Sequence, residues 1–381
     1  MDSTIIFVLS SVLLSIFIRL TSSSTTIFSV LNYGAKPDGK TDSSQAFLHA
    51  WNAACSSADY STTVYVPRGT YLLRPVTFQG KCKSSKINMK IEGRLVAPID
   101  YNILGKAGNW LLFHEVSGVS IYGGTIDARG ESLWACKRSK SGCPFGATSL
   151  EFTNSKHIMI KGLSSMSSQG FHIVINECNN VRIGGVAVVA SRNSPNTDGI
   201  HLGGSSHVTI TDASIMTGDD CISIGPGSRH FIGSLGQAVK ERGVRNVTVK
   251  SVVFTGSENG VRIKTWAKPS TGFVKGVHFE DVLIKDVRNP IIIDQNYCPY
   301  HHEKDCHGQA SGIKIRDITY RSIRGTSTTK FAINFECSSK YPCLGLRLEN
   351  VNLKCIGEVA ESFCRNVHGY ATGLVHPKSC F

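Results

Sequence analysis

Short stretches of alternating apolar and polar residues recur along most of this chain. Each begins with a triplet whose first and third residues are apolar, and most are followed by two small or polar residues and a second pair of apolar residues with the same spacing, as in Val282-Leu-Ile284. Such alternation is typical of β-strands that turn one side toward a core. The triplets are Val119-Ser-Ile121, Ile158-Met-Ile160, Val181-Arg-Ile183, Val208-Thr-Ile210, Val247-Thr-Val249, Val277-His-Phe279, Ile313-Lys-Ile315 and Leu346-Arg-Leu348.

The triplets form an internal repeat, with several steps of about 23 to 36 residues between them. A unit of two short strands and a bend cannot bury its apolar side alone, so neighbouring units must stack. A β-sandwich or barrel would explain the alternation but not the repeated sequence motif. The pattern therefore predicts an all-β solenoid, a parallel β-helix whose turns are stacked about 4.8 Å apart.

One helical pattern precedes the repeat. Thr41-Asp42-Ser43-Ser44 supplies capping side chains before an apolar run through Ala46, Phe47 and Trp51. We expect this N-terminal helix to cover one end of the stack.

The first residues predict a targeting segment. An apolar run from Ile5 to Ile18 is followed by a small polar stretch. The run is short for a membrane span and suits the apolar core of a secretory signal, with an uncleaved anchor as the alternative. We predict that residues 1–24 are a signal peptide and that residues 25–381 form one extracellular domain without membrane contact.

The charge balance bears on partners. The chain has 41 Lys and Arg residues against 28 Asp and Glu residues, a formal net charge of +13. The basic residues are scattered and form no basic helix or RNA-binding signature, which argues against nucleic acid. An acidic polysaccharide outside the cell fits better, and we expect the protein to bind it as a monomer.

Thirteen cysteines in an exported chain predict a disulfide framework with at least one cysteine left over. Histidines beside Cys298 and Cys306 could suggest zinc, but a disulfide-closed loop is the better interpretation in an oxidising compartment. Close spacing predicts the pairs Cys136–Cys143, Cys298–Cys306 and Cys337–Cys343, and more loosely Cys55–Cys82 and Cys364–Cys380, which leaves Cys178 and Cys355 as buried thiols and Cys221 without a partner.

Three carboxylates are candidates for acid–base chemistry. Asp198 and Asp219 are about one turn apart, and Asp220 reaches the same cleft if the chain bends at Gly218. Mutual repulsion raises at least one pKa, so that one carboxyl group stays protonated while another is ionised, as sugar hydrolysis requires. The alternative is that these aspartates only cap solenoid bends.

Two cations follow on a later strand. Arg262 and Lys264 alternate about Ile263, so both face one side while Ile263 enters the core. Such a pair would hold a carboxylated sugar. A solvated strand face is an equally good interpretation of the spacing alone.

These stretches resemble a known family. Asn196-Thr197-Asp198, Gly218-Asp219-Asp220 and Arg262-Ile263-Lys264 are similar to three of the four signature motifs of polygalacturonases, the pectin-cleaving glycoside hydrolases. The resemblance runs from about Phe28 to the C-terminus. It is closest to plant-type members through the stretches Ser194 to His201, Thr217 to Gly227, and Asp294 to Cys298.

The resemblance implies a right-handed, single-stranded parallel β-helix of the pectin-lyase-like kind. It also implies inverting hydrolysis of α-1,4-linked galacturonate in demethylated pectin, without metal or cofactor. Inverting geometry places the carboxyl groups roughly 6.5–9.5 Å apart. The implied roles are Asp219 as general acid, Asp198 and Asp220 as activators of water, and Arg262, Lys264 and Tyr297 as substrate-binding residues.

One departure from the family pattern concerns the fourth motif. About one turn, with the motif's histidine and the cysteine expected to partner Cys221, is missing between Ser228 and Gly233. Its loss would keep the stacking register and move Arg262 and Lys264 about 4.8 Å nearer the aspartates. Impaired activity is therefore a hypothesis, and His230 is a possible replacement. The alternatives are a catalytically impaired pectin-binding homologue and an enzyme that accepts rhamnogalacturonan.

Overall fold

The computed structural model of the protein describes residues 26–139, 142–225, 234–298 and 309–381. Within these ranges the chain forms 29 strands and three short α-helices. Neighbouring strands pair in parallel throughout, as the repeat predicted. The parallel β-helix is confirmed.

Most N-terminal strands are short: β1 Thr26–Ser29, β2 Asp38–Asp42, β3 Ser61–Val66, β4 Thr70–Leu72, β5 Val76–Gln79, β6 Lys86–Ile91, β7 Arg94–Val96, β8 Asn109–His114, β9 Val119–Tyr122, β10 Thr125–Asp127, β11 Thr148–Thr153, β12 Lys156–Lys161, β13 Ser164–Met166, β14 Ile173–Asn176, β15 Asn179–Gly184, β16 Ala187–Val189, β17 Ile200–Gly203, β18 Ser206–Thr211, β19 Ser214–Met216 and β20 Ile222–Gly225.

Several C-terminal strands are longer: β21 Val244–Thr255, β22 Asn259–Trp266, β23 Phe273–Val287, β24 Asn289–Tyr297, β25 Lys314–Ser327, β26 Phe331–Glu336, β27 Cys343–Cys355, β28 Glu361–Arg365 and β29 Val367–His376. The helices are α1 Ser44–Ser56, α2 Tyr101–Gly105 and α3 Glu131–Ser139, and one 3-10 turn covers Val30–Tyr33.

The N-terminal strands build a three-sided stack. One sheet has the order β1-β3-β6-β9-β12-β15-β18, the second β19-β16-β13-β10-β7-β4-β2, and the third β20-β17-β14-β11-β8-β5. Each turn therefore contributes three strands, where the alternation predicted two. The additional strands belong to the third sheet, which carries the carboxylate region.

Ladders of like residues fill the interior because the parallel register places equivalent positions on top of one another. The rings of Phe78, Phe113 and Phe152 stack with centroid distances of 4.6 Å between neighbours. Such ring pairs contribute roughly 0.5–1.5 kcal/mol each beyond the burial of their area.

The predicted helix α1 covers the N-terminal end of this core. Phe47 and Trp51 are fully buried, and the Trp51 ring lies 5.3 Å from that of Phe78. At its start, Asp42 Oδ1 accepts a hydrogen bond from the Ser44 amide at 2.9 Å. The end of the stack is thereby closed to water.

The C-terminal strands build a separate two-sided stack. Its sheets have the orders β21-β23-β25-β27-β29 and β22-β24-β26-β28. The long strands merge the two successive alternating stretches of a repeat, as in β23, where both Val277 and Val282 are buried. A second hydrophobic core fills this stack.

The ladder is interrupted between the two stacks, contrary to the expectation of a continuous register. Among the described residues no strand of the first stack pairs with β21 or β22. Val181 is fully buried, whereas its partner in the next turn, Val208, is only half-buried. The two stacks are bridged by Arg242, whose Nη1 lies 3.1 Å from Glu177 Oε2.

Four predicted disulfides are confirmed: Cys55–Cys82, Cys136–Cys143, Cys337–Cys343 and Cys364–Cys380. Cys178, Cys221 and Cys355 are free, as predicted, and Cys178 is buried. The predicted burial of Cys355 is wrong, because this thiol at the end of β27 is only half-buried. Cys298 is disulfide-bonded, but its predicted partner Cys306 lies outside the described residues.

The predicted signal peptide, residues 1–24, also lies outside the described residues. In the part of the chain that the structure describes, no helix is long and apolar enough to cross a membrane.

Candidate active site

Asp198 and the Asp219-Asp220 pair lie on adjacent turns, as their spacing predicted. Thr197 is fully buried between them. Its Oγ1 accepts a hydrogen bond from the Gly218 amide at 3.1 Å and lies 2.6 Å from Ser194 Oγ. The Gly199 amide also donates to the Asp220 carbonyl at 3.0 Å. These bonds fix the two carboxylate-bearing bends relative to each other.

Gly218 is required where the second bend passes the first. A methyl group at this position would lie 2.0 Å from the Ser194 carbonyl oxygen and 2.7 Å from the Ser194 amide nitrogen. These distances are far below van der Waals contact. The bend suggested by Gly218 is therefore a close backbone approach that no side chain can enter.

Asp198 is the most enclosed of the three aspartates, with 3% of its surface exposed. Burial, and then the Asp219 carboxylate, raises the pKa of Asp198 to about 8. A hydrogen bond of 2.6 Å from Ser223 Oγ to Asp198 Oδ2 and the Lys264 charge both oppose this rise. Asp198 therefore holds its proton to a higher pH than an ordinary aspartate does.

The other two aspartates have different surroundings. Asp219 is open to solvent on one side, yet partial burial and the Asp220 charge raise its pKa. Asp220 is half-buried, and its Oδ2 lies 3.9 Å from Lys264 Nζ. The cluster thus combines an exposed carboxyl group whose pKa is raised with a second carboxyl group that lies beside a cation.

The cations lie where the alternation placed them. Ile263 is buried in the second core, while the side chains of Arg262 and Lys264 are 22% and 17% exposed. Lys264 Nζ lies 4.7 Å from the Tyr297 ring centroid, and Arg262 Cζ lies 5.8 Å from it. All six predicted site residues are therefore in one region that spans both stacks.

Two groups of the site were not singled out in the sequence. His201 Nδ1 lies 2.8 Å from Ser223 Oγ, which places a histidine behind the serine that contacts Asp198. Asp294 Oδ2 lies 3.5 Å from Arg262 Nη2. Both His201 and Asp294 stand in the stretches that carry the family resemblance, which was the available signal.

The arrangement suits acid–base chemistry on an anionic substrate. It supplies carboxyl groups that can donate and accept protons, together with two cations. Among the described residues, no group of three or more His, Cys, Asp or Glu side chains has an arrangement that could hold a metal ion. His230, the possible replacement for the missing motif histidine, lies outside the described residues.

Comparison with protein families agrees with this chemistry. Residues 55–380 match the family described as glycosyl hydrolases family 28. The chain belongs to this family. Among relatives of this family 28 member, a polygalacturonase of Prunus persica is 50% identical over 368 residues, which cover 93% of each chain. An exopolygalacturonase of Platanus acerifolia is 42% identical, covering 94% of this chain and 99% of the relative.

Solved structures share the fold at low sequence identity. An endo-xylogalacturonan hydrolase from Aspergillus tubingensis has a TM-score of 0.78 at 22% identity, covering 91% of this chain and all of the other. An exopolygalacturonase from Thermotoga maritima has a TM-score of 0.66 at 17% identity, covering 90% and 91%. These likenesses support the β-helix architecture of the family 28 member.

Proposed function

We propose that this protein is a polygalacturonase, which hydrolyses α-1,4-galacturonosyl linkages of demethylated pectin with inversion. One observation carries the proposal: three aspartates on adjacent turns face two cations and a tyrosine across the junction of the stacks. The plant relatives named polygalacturonases support the substrate class.

In this proposal Asp219 is the general acid. It is the most exposed of the three aspartates, so it can reach the leaving oxygen of a bound sugar chain, and burial and the Asp220 charge raise its pKa, which favours the protonated form that an acid needs. Asp198 and Asp220 hold the attacking water and receive its proton. Inverting hydrolysis requires this division of roles between an acid for the leaving oxygen and a carboxylate that activates water.

The cations bind the carboxylates of the substrate. Arg262 Nε is buried and has no hydrogen-bond partner among the described residues. A planar carboxylate can approach such a guanidinium group, and the aromatic face of Tyr297 between the two cations offers an apolar surface to a sugar ring. Asp294 orients Arg262 through their contact at 3.5 Å.

The test is the release of reducing ends from polygalacturonate by the purified protein and by Asp219→Asn. The proposal expects activity in the first and a loss of at least about 100-fold in the second, since a general acid contributes roughly 10²–10⁴-fold. Equal rates for the two proteins would refute the assignment. Rhamnogalacturonan serves as the substrate control, because its backbone carries fewer carboxylates for Arg262 and Lys264.

A second candidate function is pectin binding without catalysis. The interrupted ladder between β20 and β21 favours it, because the aspartates and the cations belong to different stacks, and a misplacement of about 1 Å can cost roughly 100-fold in rate. Binding of polygalacturonate without product would select this function. Arg262→Ala should then weaken binding while Asp219→Asn leaves it intact.

The site of action follows from the substrate. We propose that the protein is exported through the predicted signal peptide, residues 1–24, and acts as a monomer in the plant cell wall. The net charge of +13 favours association with a polyanionic wall polymer. Secretion of a reporter fused to residues 1–24 would test the export step.

A further inference from the structure

A chain of three side chains leads inward from the carboxylate cluster. Ser223 Oγ donates to Asp198 Oδ2 at 2.6 Å, and His201 Nδ1 lies 2.8 Å from the same hydroxyl oxygen. All three residues are buried. Strand register explains the alignment, since His201 on β17 pairs directly with Ser223 on β20.

The hydrogens of this chain can be assigned from valence. A serine hydroxyl has a single hydrogen, and that hydrogen is directed to the Asp198 carboxylate when Asp198 is ionised. Ser223 Oγ must then accept from His201 Nδ1, so the neutral imidazole carries its hydrogen on Nδ1. The Phe171 ring, 5.2 Å from the imidazole and nearly parallel to it at 23°, holds the histidine in this orientation.

We propose that Ser223 and His201 are positioning residues that weaken the hold of Asp198 on the proton of the cluster, so that this proton can reside on Asp219 during catalysis. The inference rests on the proposed function, in which Asp219 donates and Asp198 accepts. Asp198 and Asp219 compete for one proton, and only the form with the proton on Asp219 is productive. Donation from Ser223 stabilises ionised Asp198 and so increases the productive fraction.

Other charged groups face the same cluster. Asp219, Asp220 and Lys264 act on Asp198, and Asp220 acts on His201. Burial, and then the charges of Asp220 and Asp198, raise the pKa of the Cys221 thiol, which favours its neutral form. Burial lowers the pKa of His201 to about 4, which favours the neutral form of the imidazole. Ser223 is therefore the neutral donor that favours the carboxylate form of Asp198.

The first test is kinetic and uses polygalacturonate. A hydrogen bond to a charged group is worth roughly a 10- to 100-fold change in equilibrium, so Ser223→Ala should lower kcat by that factor at the pH optimum. Ser223→Thr keeps the hydroxyl and should restore most of kcat. His201→Asn keeps a donor near the position of Nδ1 and should fall between the two.

The chain offers a matched control. Ser165 Oγ lies 2.9 Å from His172 Nδ1 in a second buried serine–histidine pair, and within the described ranges neither side chain is hydrogen-bonded to a carboxylate. Ser165→Ala therefore removes a similar hydrogen bond with a similar loss of packing. It should leave kcat and its pH dependence unchanged. A loss equal to that of Ser223→Ala would mean that the effect is general to the fold and would overturn the proposal.

The second test does not depend on activity. The carbonyl stretch of protonated Asp198 can be isolated as the infrared difference between the wild-type protein and Asp198→Asn and followed with pH. In Ser223→Ala this signal should persist to a pH higher by about one unit or more. An unchanged titration would refute the positioning role. The expected shift in a protein that releases no reducing ends would support the hydrogen-bond chain and refute the proposed hydrolase.

Discussion

Replacing Lys264 by methionine tests the electrostatic coupling between the two stacks. Lys264 Nζ lies 3.9 Å from Asp220 Oδ2, and the two side chains are 17% and 32% exposed. Coulomb's law gives an attraction of about 4 kcal/mol at an effective dielectric constant of about 20 and about 1 kcal/mol in bulk water. Partial exposure places the contribution between these limits, at about 2 kcal/mol.

The same cation lowers the pKa values of Asp198 and Asp219. Its removal should raise both, because an opposite charge no longer favours their ionised forms. The productive cluster needs one of these groups protonated and the other ionised, so both limbs of the pH–rate profile should move to higher pH. At about 1.4 kcal/mol per unit, a shift of about one pH unit is expected.

The assay is the pH dependence of kcat on polygalacturonate, measured at saturating substrate because loss of Lys264 also weakens substrate binding. Lys275→Met is the matched control: its Nζ lies 3.9 Å from Asp317 Oδ2, but the side chains are 58% and 52% exposed. This exposed pair should contribute less than about 1 kcal/mol and leave the profile unchanged. An unshifted profile in Lys264→Met would refute the reasoning.

Three further predictions concern stability and backbone geometry. Burial raises the pKa of Asp198 to about 8 from its ordinary value of 3.8, so the folded protein binds a proton that the unfolded chain releases. Stability should therefore fall as pH rises between these values, by at most about 1.4 kcal/mol per unit. Asp198→Asn should flatten this dependence in thermal melts and have the higher Tm at pH 8. Gly218→Ala places a methyl group against Ser194, so it should reduce kcat at least about 10-fold with little change in the circular dichroism of the sheets. Val181→Ala should lower the free energy of unfolding in urea by about 2 kcal/mol and Val208→Ala by less than about 1 kcal/mol, because only Val181 is fully buried. Equal losses for the two variants would mean that the ladder is continuous.

Much of this site could be predicted because a solenoid converts sequence spacing into spatial adjacency. Asp198 and Asp219 are separated by about one turn in the sequence, and they therefore lie on adjacent turns. Arg262 and Lys264 alternate about Ile263, and they therefore lie on the side of the strand opposite to this buried residue. The same holds for the cysteine pairs, where short spacing limits the partners that a thiol can reach.

The remainder depends on relations that spacing does not carry. The third sheet was missed because its strands do not all alternate: β14, for example, begins with the continuous apolar run Ile173-Val174-Ile175, in which all three residues are buried. Ser223 and His201 come into contact because their strands pair in register. The residues next to each of them in the sequence do not indicate this hydrogen bond. The interruption after β20 depends on which strands pair at the junction of the two stacks. The number of residues between neighbouring repeats does not predict this pairing.

The most direct test of the account is the anomeric form of the first product. Proton NMR of trigalacturonate mixed with the protein resolves the new reducing end before it mutarotates. Inverting hydrolysis of an α-linkage by Asp219 and the water held by Asp198 and Asp220 predicts that the β-anomer appears first. Appearance of the α-anomer first, or tight binding without any product, would contradict the account.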